Sequence, residues 1–495
     1  MITKNDKPVP IDTGIQWGES DSMQTIQHQP LTTRVKAKNL NEDRTIYGTF
    51  AEIGAGQEVA SAFFKVGGAS KTVAKTMSAY DMTFSDTIYG KEKSGRYVVE
   101  NRLNKMLDRE FGLLEERIGE QMCERRFFVF ANTMATKSPK NGRPGHGWLG
   151  CKFQLEPQGP VHKIILHVHL YESMIESQQN LIGVLGVNLL YAAYRYSADL
   201  PLLLESLKDG LMGRKFDIDV IKVTGKSFED VDNRALNLKL ISQGLAEAIL
   251  FDEKGQIQTV TDKFYNQALL VARGRFRPPT LQTKDMLCQG VKQLQEQAKG
   301  WVVLPLCEIT FNNIFNQEKA NEEDLIFRLE MISAMNMQTM ITNFEYHYRL
   351  SEYLNMFANS HIAFVLGIDN LTELFREEHY KDLPGGTLEA IGRLFKNKFQ
   401  LYLYPKVGDG GKLVKGEDIQ FPQHIQYLFL NLWCQGLIKD FHNYDPDVLN
   451  IHSKTVLSKI RDKDESWEAL VPPEISSKIK VFVDLIDRRL EEDNA

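Results

Sequence analysis

The sequence predicts an α/β protein built on a largely parallel sheet, open and doubly wound or closed into a barrel, with helical N- and C-terminal extensions. Three observations carry that expectation. Between residues 157 and 405, short β-branched or aliphatic runs alternate with amphipathic stretches of helical period. Several of those stretches open on a helix-start signal, as Asp199 does before Leu200-Pro201 and Asp369 before Asn370-Leu371. The 495 residues, 42% hydrophobic, supply apolar material for more than one core.

Residues 1 to about 33 are rich in Gln, Thr, Ser, Asp and Pro without any period, and residues 1–43 are expected to form an extended arm held by a neighbouring copy of the chain. Residues 44–156 read as mainly helical. Their helices are expected over Gln57–Phe64, Gly68–Met77 and Gly95–Met122, the last carrying Leu103, Met106, Leu107, Leu114 and Ile118 at three- and four-residue steps. Thr136–Gly150 holds too many Gly and Pro residues for a regular element. In the α/β core, residues 157–405, strands are expected at Lys163–Tyr171, Leu181–Leu190, Asp217–Val223, Ala248–Phe251, Ala268–Arg273, Trp301–Ile309, Thr339–Asn343, Ile362–Ile368 and Gln400–Tyr404. Helices fall between them at Leu202–Met212, Val231–Gly244, Asp285–Lys299, Glu323–Met335, Tyr348–Ala358, Leu371–Tyr380 and Leu388–Lys396. Residues 406–495 return to helices, His424–Lys439 and Ile475–Glu492, separated by Pro472-Pro473.

Lys plus Arg number 59 against 65 Asp plus Glu, a net charge of −6, which favours neither nucleic acid nor an anionic membrane as partner. The five cysteines, Cys123, Cys151, Cys288, Cys307 and Cys434, are scattered and never spaced as Cys-x-x-Cys, so they are expected to be isolated thiols. The polar start lacks the apolar stretch of an export signal, and the longest apolar run, Leu181–Tyr194, falls short of the ~20 residues a bilayer requires. A cytoplasmic protein is expected.

Two glycine clusters invite a phosphate-binding reading. Gly54-Ala55-Gly56 opens like a dinucleotide fingerprint but has Val59 where the third glycine belongs, which leaves a tight turn before a helix. Lys65-Val66-Gly67-Gly68-Ala69-Ser70-Lys71-Thr72 ends like a phosphate loop but begins with Lys65, so its backbone cradle is unspecified. Arg273, Arg275 and Arg277 are the best anion-binding candidates, because three guanidinium forks follow an apolar strand at alternating positions. His167 and His169 share one face of a strand and are candidate metal ligands. Glu308, His347 and Asp369, each near the C-terminal end of an expected strand, are the acid/base candidates. Asp217 and Asp219 are the other closely spaced ligand pair, at the start of their strand and so apparently at the wrong end of a parallel sheet.

The stretch Tyr47-Gly-Thr-Phe-Ala-Glu-Ile-Gly-Ala-Gly-Gln-Glu-Val59, with Gly67-Gly-Ala-Ser70, Met77-Ser-Ala-Tyr-Asp81, Val231-Asp-Asn-Arg234 and Arg273-Gly-Arg-Phe-Arg-Pro278, resembles a bacterial protein family of Bacteroidetes and cyanobacterial type without an assigned activity. Names carried by such proteins include nicotinate-nucleotide adenylyltransferase and TonB-dependent receptor. The first implies an early His/Thr-x-Gly-His motif, and the nearest match here is Arg143-Pro-Gly-His146 in mid-chain; its second motif finds only Ile475-Ser-Ser-Lys478 without the anion-binding arginine. The second implies an export signal and many alternating strands, which the sequence does not show.

The expected function is binding of an anionic or phosphorylated metabolite near the three arginines. The alternative is a non-catalytic building block that self-assembles into a ring, filament or shell through its arm and helical regions.

Overall fold

The computed structural model describes residues 28–54, 56–137, 143–311 and 322–481. Most of the expected arm therefore lies outside the described residues. Its last part is a helix, α1 (Thr33–Glu42), capped by Thr32.

The N-terminal half continues with β1 (Ile46–Ile53), α2 (Glu58–Lys65), β2 (Val73–Met77), α3 (Met82–Tyr89), α4 (Glu100–Ile118), β3 (Arg126–Ala135), β4 (Gly145–Gln154), β5 (Val161–Leu170), α5 (Ile175–Arg195), α6 (Leu200–Leu207), β6 (Phe216–Thr224) and α7 (Asn233–Ser242). Its sheet runs β2-β1-β3-β4-β5-β6. β1 pairs parallel with β2 and β3, whereas β3 to β6 are joined antiparallel.

The C-terminal half holds β7 (Ala248–Phe251), β8 (Ile257–Gln258), α8 (Val260–Lys263), β9 (Gln267–Arg273), α9 (Leu281–Gln297), β10 (Val302–Thr310), α10 (Glu322–Ala334), β11 (Gln338–Thr342), α11 (His347–Phe357), β12 (Ile362–Gly367), α12 (Ile368–Leu374), α13 (Gly386–Leu394), β13 (Phe399–Tyr404), β14 (Lys406–Val407), β15 (Leu413–Val414), α14 (Gln423–Cys434), β16 (Ile438–Asp440) and α15 (Ser453–Arg461). Its open sheet runs β16-β13-β12-β9-β10-β11-β7-β8. Counted in chain order from β9, the parallel strands stand 3-2-1-4-5-6 across the sheet, the doubly wound order, and antiparallel β7 and β8 extend one edge. Along β9, Ala268, Leu270 and Ala272 face the core shared with α9 and α10, while Leu269 and Val271 face the core of α11, α13 and α14. Burial on both faces explains why these strands read as unbroken apolar runs.

The second sheet is largely parallel, as the alternation of residues 157–405 predicts, the first is mixed, and neither is a closed barrel. Three local expectations change. Leu181–Leu190 belongs to helix α5, which is buried over most of its length; an apolar run buried all round has no period to tell helix from strand. Gly68–Met77 is a short 3-10 turn followed by β2, a strand that its Thr and Val residues favour. Residues 44–156, expected to be mainly helical, also contribute four strands to the first sheet, and β4 starts inside the supposedly irregular Thr136–Gly150. Gly147 is what permits it: a Cβ there would stand 2.4 Å from the Thr133 carbonyl oxygen on β3.

The glycine cluster after β1 is a turn. Gly54 has φ +98° and a Cβ on it would meet the Met134 carbonyl at 1.9 Å. The N-terminus of α2, where a pyrophosphate would sit, is filled by the chain's own Glu52, whose carboxylate accepts from the Ala60 N–H at 2.9 Å and the Val59 N–H at 3.3 Å. Burial pushes the Glu52 carboxyl up to about 7, against the pull of these hydrogen bonds. A raised acid binds its proton more tightly in the folded state, so this contribution to stability is complete below the unfolded value of 4.5 and disappears as pH rises through about 7. Glu52→Gln is therefore expected to flatten the decline of unfolding free energy between about pH 5 and about pH 8, measured by urea titration. An unchanged slope would count against the assignment.

Candidate functional site

In a doubly wound sheet ligands bind beyond the carboxyl ends of the strands where the winding reverses, here between β9 and β12. The chain leaves β9 through Arg273-Gly-Arg-Phe-Arg and enters α9 at its N-cap Thr280, whose side chain accepts from the Thr283 N–H. Two adjoining hollows open there. One, of about 390 Å³, is lined by Arg273, Arg275, Thr310, His347, Leu366 and Asn370. The other, of about 830 Å³, is lined among others by Arg275, Arg277, Thr280, Thr283, Ser453 and Lys454. Arg275 and Asn370 border both.

The three arginines have different surroundings. The β9–β10 register sets Arg273 opposite Glu308. The guanidinium grips the fully buried carboxylate at 2.6 and 3.3 Å and also donates to the Phe344 and Glu345 carbonyls. Glu308 accepts further bonds from Thr342 at 2.5 Å and Thr310 at 3.2 Å. It is thus an anchor, although sequence position alone suggested acid/base work. Arg277 pairs with Asp324 at 3.3 Å. Arg275 is exposed, and its carbonyl accepts from buried Arg328, which is itself paired with Asp324 at 2.6 Å. The backbone that carries this guanidinium is therefore fixed from below.

His347 begins α11 and faces the smaller hollow. Burial, then Arg273 and His379, holds it well below the usual imidazole range, so it is neutral near pH 7. Asp369 borders the larger hollow and pairs with Lys406. Lys454 and Ser453, at the start of α15, complete the rim. The sequence offers no signal for these two, because they are brought to the arginines from a helix well over a hundred residues downstream.

His167 and His169 lie in the other sheet, away from this cleft. They project from β5 with Asp219 of β6 between them: His167 Nδ1 is 2.5 Å from Asp219 Oδ1, and His169 Nε2 is 3.1 Å from Asp219 Oδ2. A β-bulge does this. His167 pairs with Val220 and Val168 with Ile218, so Asp219 is left outside the ladder and its carboxylate reaches both rings. Behind His167, Nδ1 of His146 on β4 stands 3.1 Å from Nε2. His167, His169, Asp217 and Asp219 are all buried.

Burial opposes ionisation of Asp219, but the two imidazoles outweigh it and keep the carboxyl below its usual range. The same carboxylate overcomes burial to raise His169, whereas burial, reinforced by His167 and His169, keeps His146 well below the ordinary imidazole value. Asp217 and Asp219 are thus not at the wrong end. β5 and β6 are antiparallel, so the start of one strand meets the end of the other. His146 escapes a reading that treats its segment as a loop, although His146-x-Trp148 has the strand alternation.

Among the described residues, no helix is long and apolar enough to cross a membrane. No protein-family model matches the sequence, and no curated protein matches it significantly. Among solved structures, the competence/damage inducible protein CihA from Agrobacterium tumefaciens is similar at TM-score 0.25 and 18% identity, over 34% of this chain and 98% of its own. A competence-damaged protein (CinA) superfamily protein from Enterobacter cloacae is similar at TM-score 0.25 and 12% identity, over 36% and 99%. The competence damage-inducible protein A (ComA) from Klebsiella pneumoniae is similar at TM-score 0.25 and 11% identity, over 32% and 96%.

Proposed function

We propose that the chain binds a phosphorylated or otherwise anionic metabolite in the cleft beyond β9 and β12. One observation carries this reading: Arg275, on a backbone braced by Arg328, borders both hollows at the point where the strand order reverses. Arg277, Lys454 and the N-terminal turn of α9 supply positive charge and N–H groups along the larger hollow, which suits a phosphate. The neutral imidazole of His347 and the amide of Asn370 suit the uncharged part of the ligand in the smaller one.

Pyrophosphate and adenosine diphosphate are the probes. Each is expected to raise the melting temperature in a salt-sensitive way. Arg275→Ala should weaken binding by about 10- to 100-fold, as loss of one charge-assisted hydrogen-bonding group does. A ligand shift that survives Arg275→Ala, or wild-type protein that responds to neither probe, would overturn the proposal.

A further inference from the structure

The buried cluster in the first sheet takes no part in the cleft, and its donor set has a chemistry of its own. We infer that His167, His169 and Asp219 hold one divalent transition-metal ion, Zn²⁺ being the best match to two imidazoles and a carboxylate. The three donor atoms lie within 4.8 Å of one another, with nitrogens from β5 facing the carboxylate that the bulge in β6 turns toward them. Ligand bonds of about 2.0–2.1 Å in a tetrahedron set donors about 3.3 Å apart. The His169–Asp219 contact of 3.1 Å and the His167–Asp219 contact of 2.5 Å are made to different carboxylate oxygens, so Asp219 must turn to offer one oxygen to an ion between the two rings. The ion takes the place of the proton on each coordinating nitrogen, which a neutral imidazole passes to its other ring nitrogen and an imidazolium releases to solvent.

The surroundings of His167 are those of a metal ligand. Coordination through Nδ1 of His167 leaves its Nε2 to His146, the outer contact that fixes ring orientation in metal-bound histidines. The remaining nitrogen of His169, Nδ1, is buried without a hydrogen-bond partner, and its ring is packed between Tyr171, stacked at 6.2 Å, and Phe357 at 4.8 Å. Tyr171, on which His169 stacks, also lines a cavity of about 500 Å³ together with Glu247, Arg349 and Tyr353. Three protein donors leave the fourth tetrahedral position of the ion to a water molecule.

The test uses the full chain, purified without a histidine tag and stripped by chelator. Zn²⁺ is expected to bind at a single equivalent and raise the melting temperature, and Co²⁺ to give visible d–d absorption of a nitrogen/oxygen site. Asp219→Asn and His169→Gln should each abolish the Co²⁺ spectrum. His146→Ala, acting only through the orientation of His167, should weaken Zn²⁺ binding by about 10- to 100-fold while keeping the spectrum. Absence of both Zn²⁺ stabilisation and a Co²⁺ spectrum in the wild-type chain would overturn the assignment even if the variants fail to fold, leaving a purely hydrogen-bonded triad. So would metal binding that persists unchanged in Asp219→Asn.

Discussion

Glu308→Ala is expected to lower the unfolding free energy by about 3–5 kcal/mol, the cost of leaving one partner of a buried ion pair without the other. Arg273 would keep only the Phe344 and Glu345 carbonyls, and the hydroxyls of Thr310 and Thr342 would lose the acceptor they share. Because β10 and β11 meet at this carboxylate, the damage should spread along the carboxyl edge of the second sheet. Urea unfolding measures it, with Arg376→Ala as control: Arg376 and Glu373 are both half-exposed, and such a pair is worth about 0–1 kcal/mol. The result separates two roles. A carboxylate kept for proton transfer can be removed with little loss of stability or a gain. An anchor cannot, and an unchanged midpoint would restore Glu308 to the acid/base group.

A loss of similar size is expected for Lys36→Met. The Lys36 ammonium is fully buried, 2.8 Å from Asp209 and at the same distance from both the carbonyl and the hydroxyl of Ser206. Asp209 also holds His28 at 2.8 Å and the Leu31 N–H at 3.1 Å, so this carboxylate fastens the beginning of the described chain to the end of α6. Burial lowers the Lys36 pKa despite the opposing pull of Asp209. Methionine fills the aliphatic space but strands the carboxylate, for an expected cost of about 3–5 kcal/mol. In the double variant Lys36→Met, Asp209→Asn part of the loss should return, because no unpaired charge remains. A double variant as unstable as the sum of the two single ones would show that the groups act independently.

The elements most legible in the sequence are those of the second sheet. Ala248–Phe251 is predicted residue for residue as β7, and Gln267–Arg273 and Phe399–Tyr404 extend their predictions by a single residue. Strands buried on both faces must be apolar throughout, and the helices between them must be amphipathic, so the alternation is written in the composition. The first sheet is harder to read. α5 is apolar on every side, and β4 carries glycines at Gly145, Gly147 and Gly150, where the close approach of β3 and β5 excludes side chains. Local rules take those glycines for loop residues.

Residue chemistry and local order are settled along the chain: the arginines follow β9 at alternating positions, and the histidines share a strand face because side chains alternate with period two. Which groups meet is settled by pairing and winding. Antiparallel β4, β5 and β6 deliver His146, His169 and Asp219 to one end of the first sheet, and the 3-2-1-4-5-6 order brings Arg275, His347 and Asn370 to one crevice. The physical reason is that strand partners are chosen by burial of whole faces against distant segments, a property no short window of residues contains.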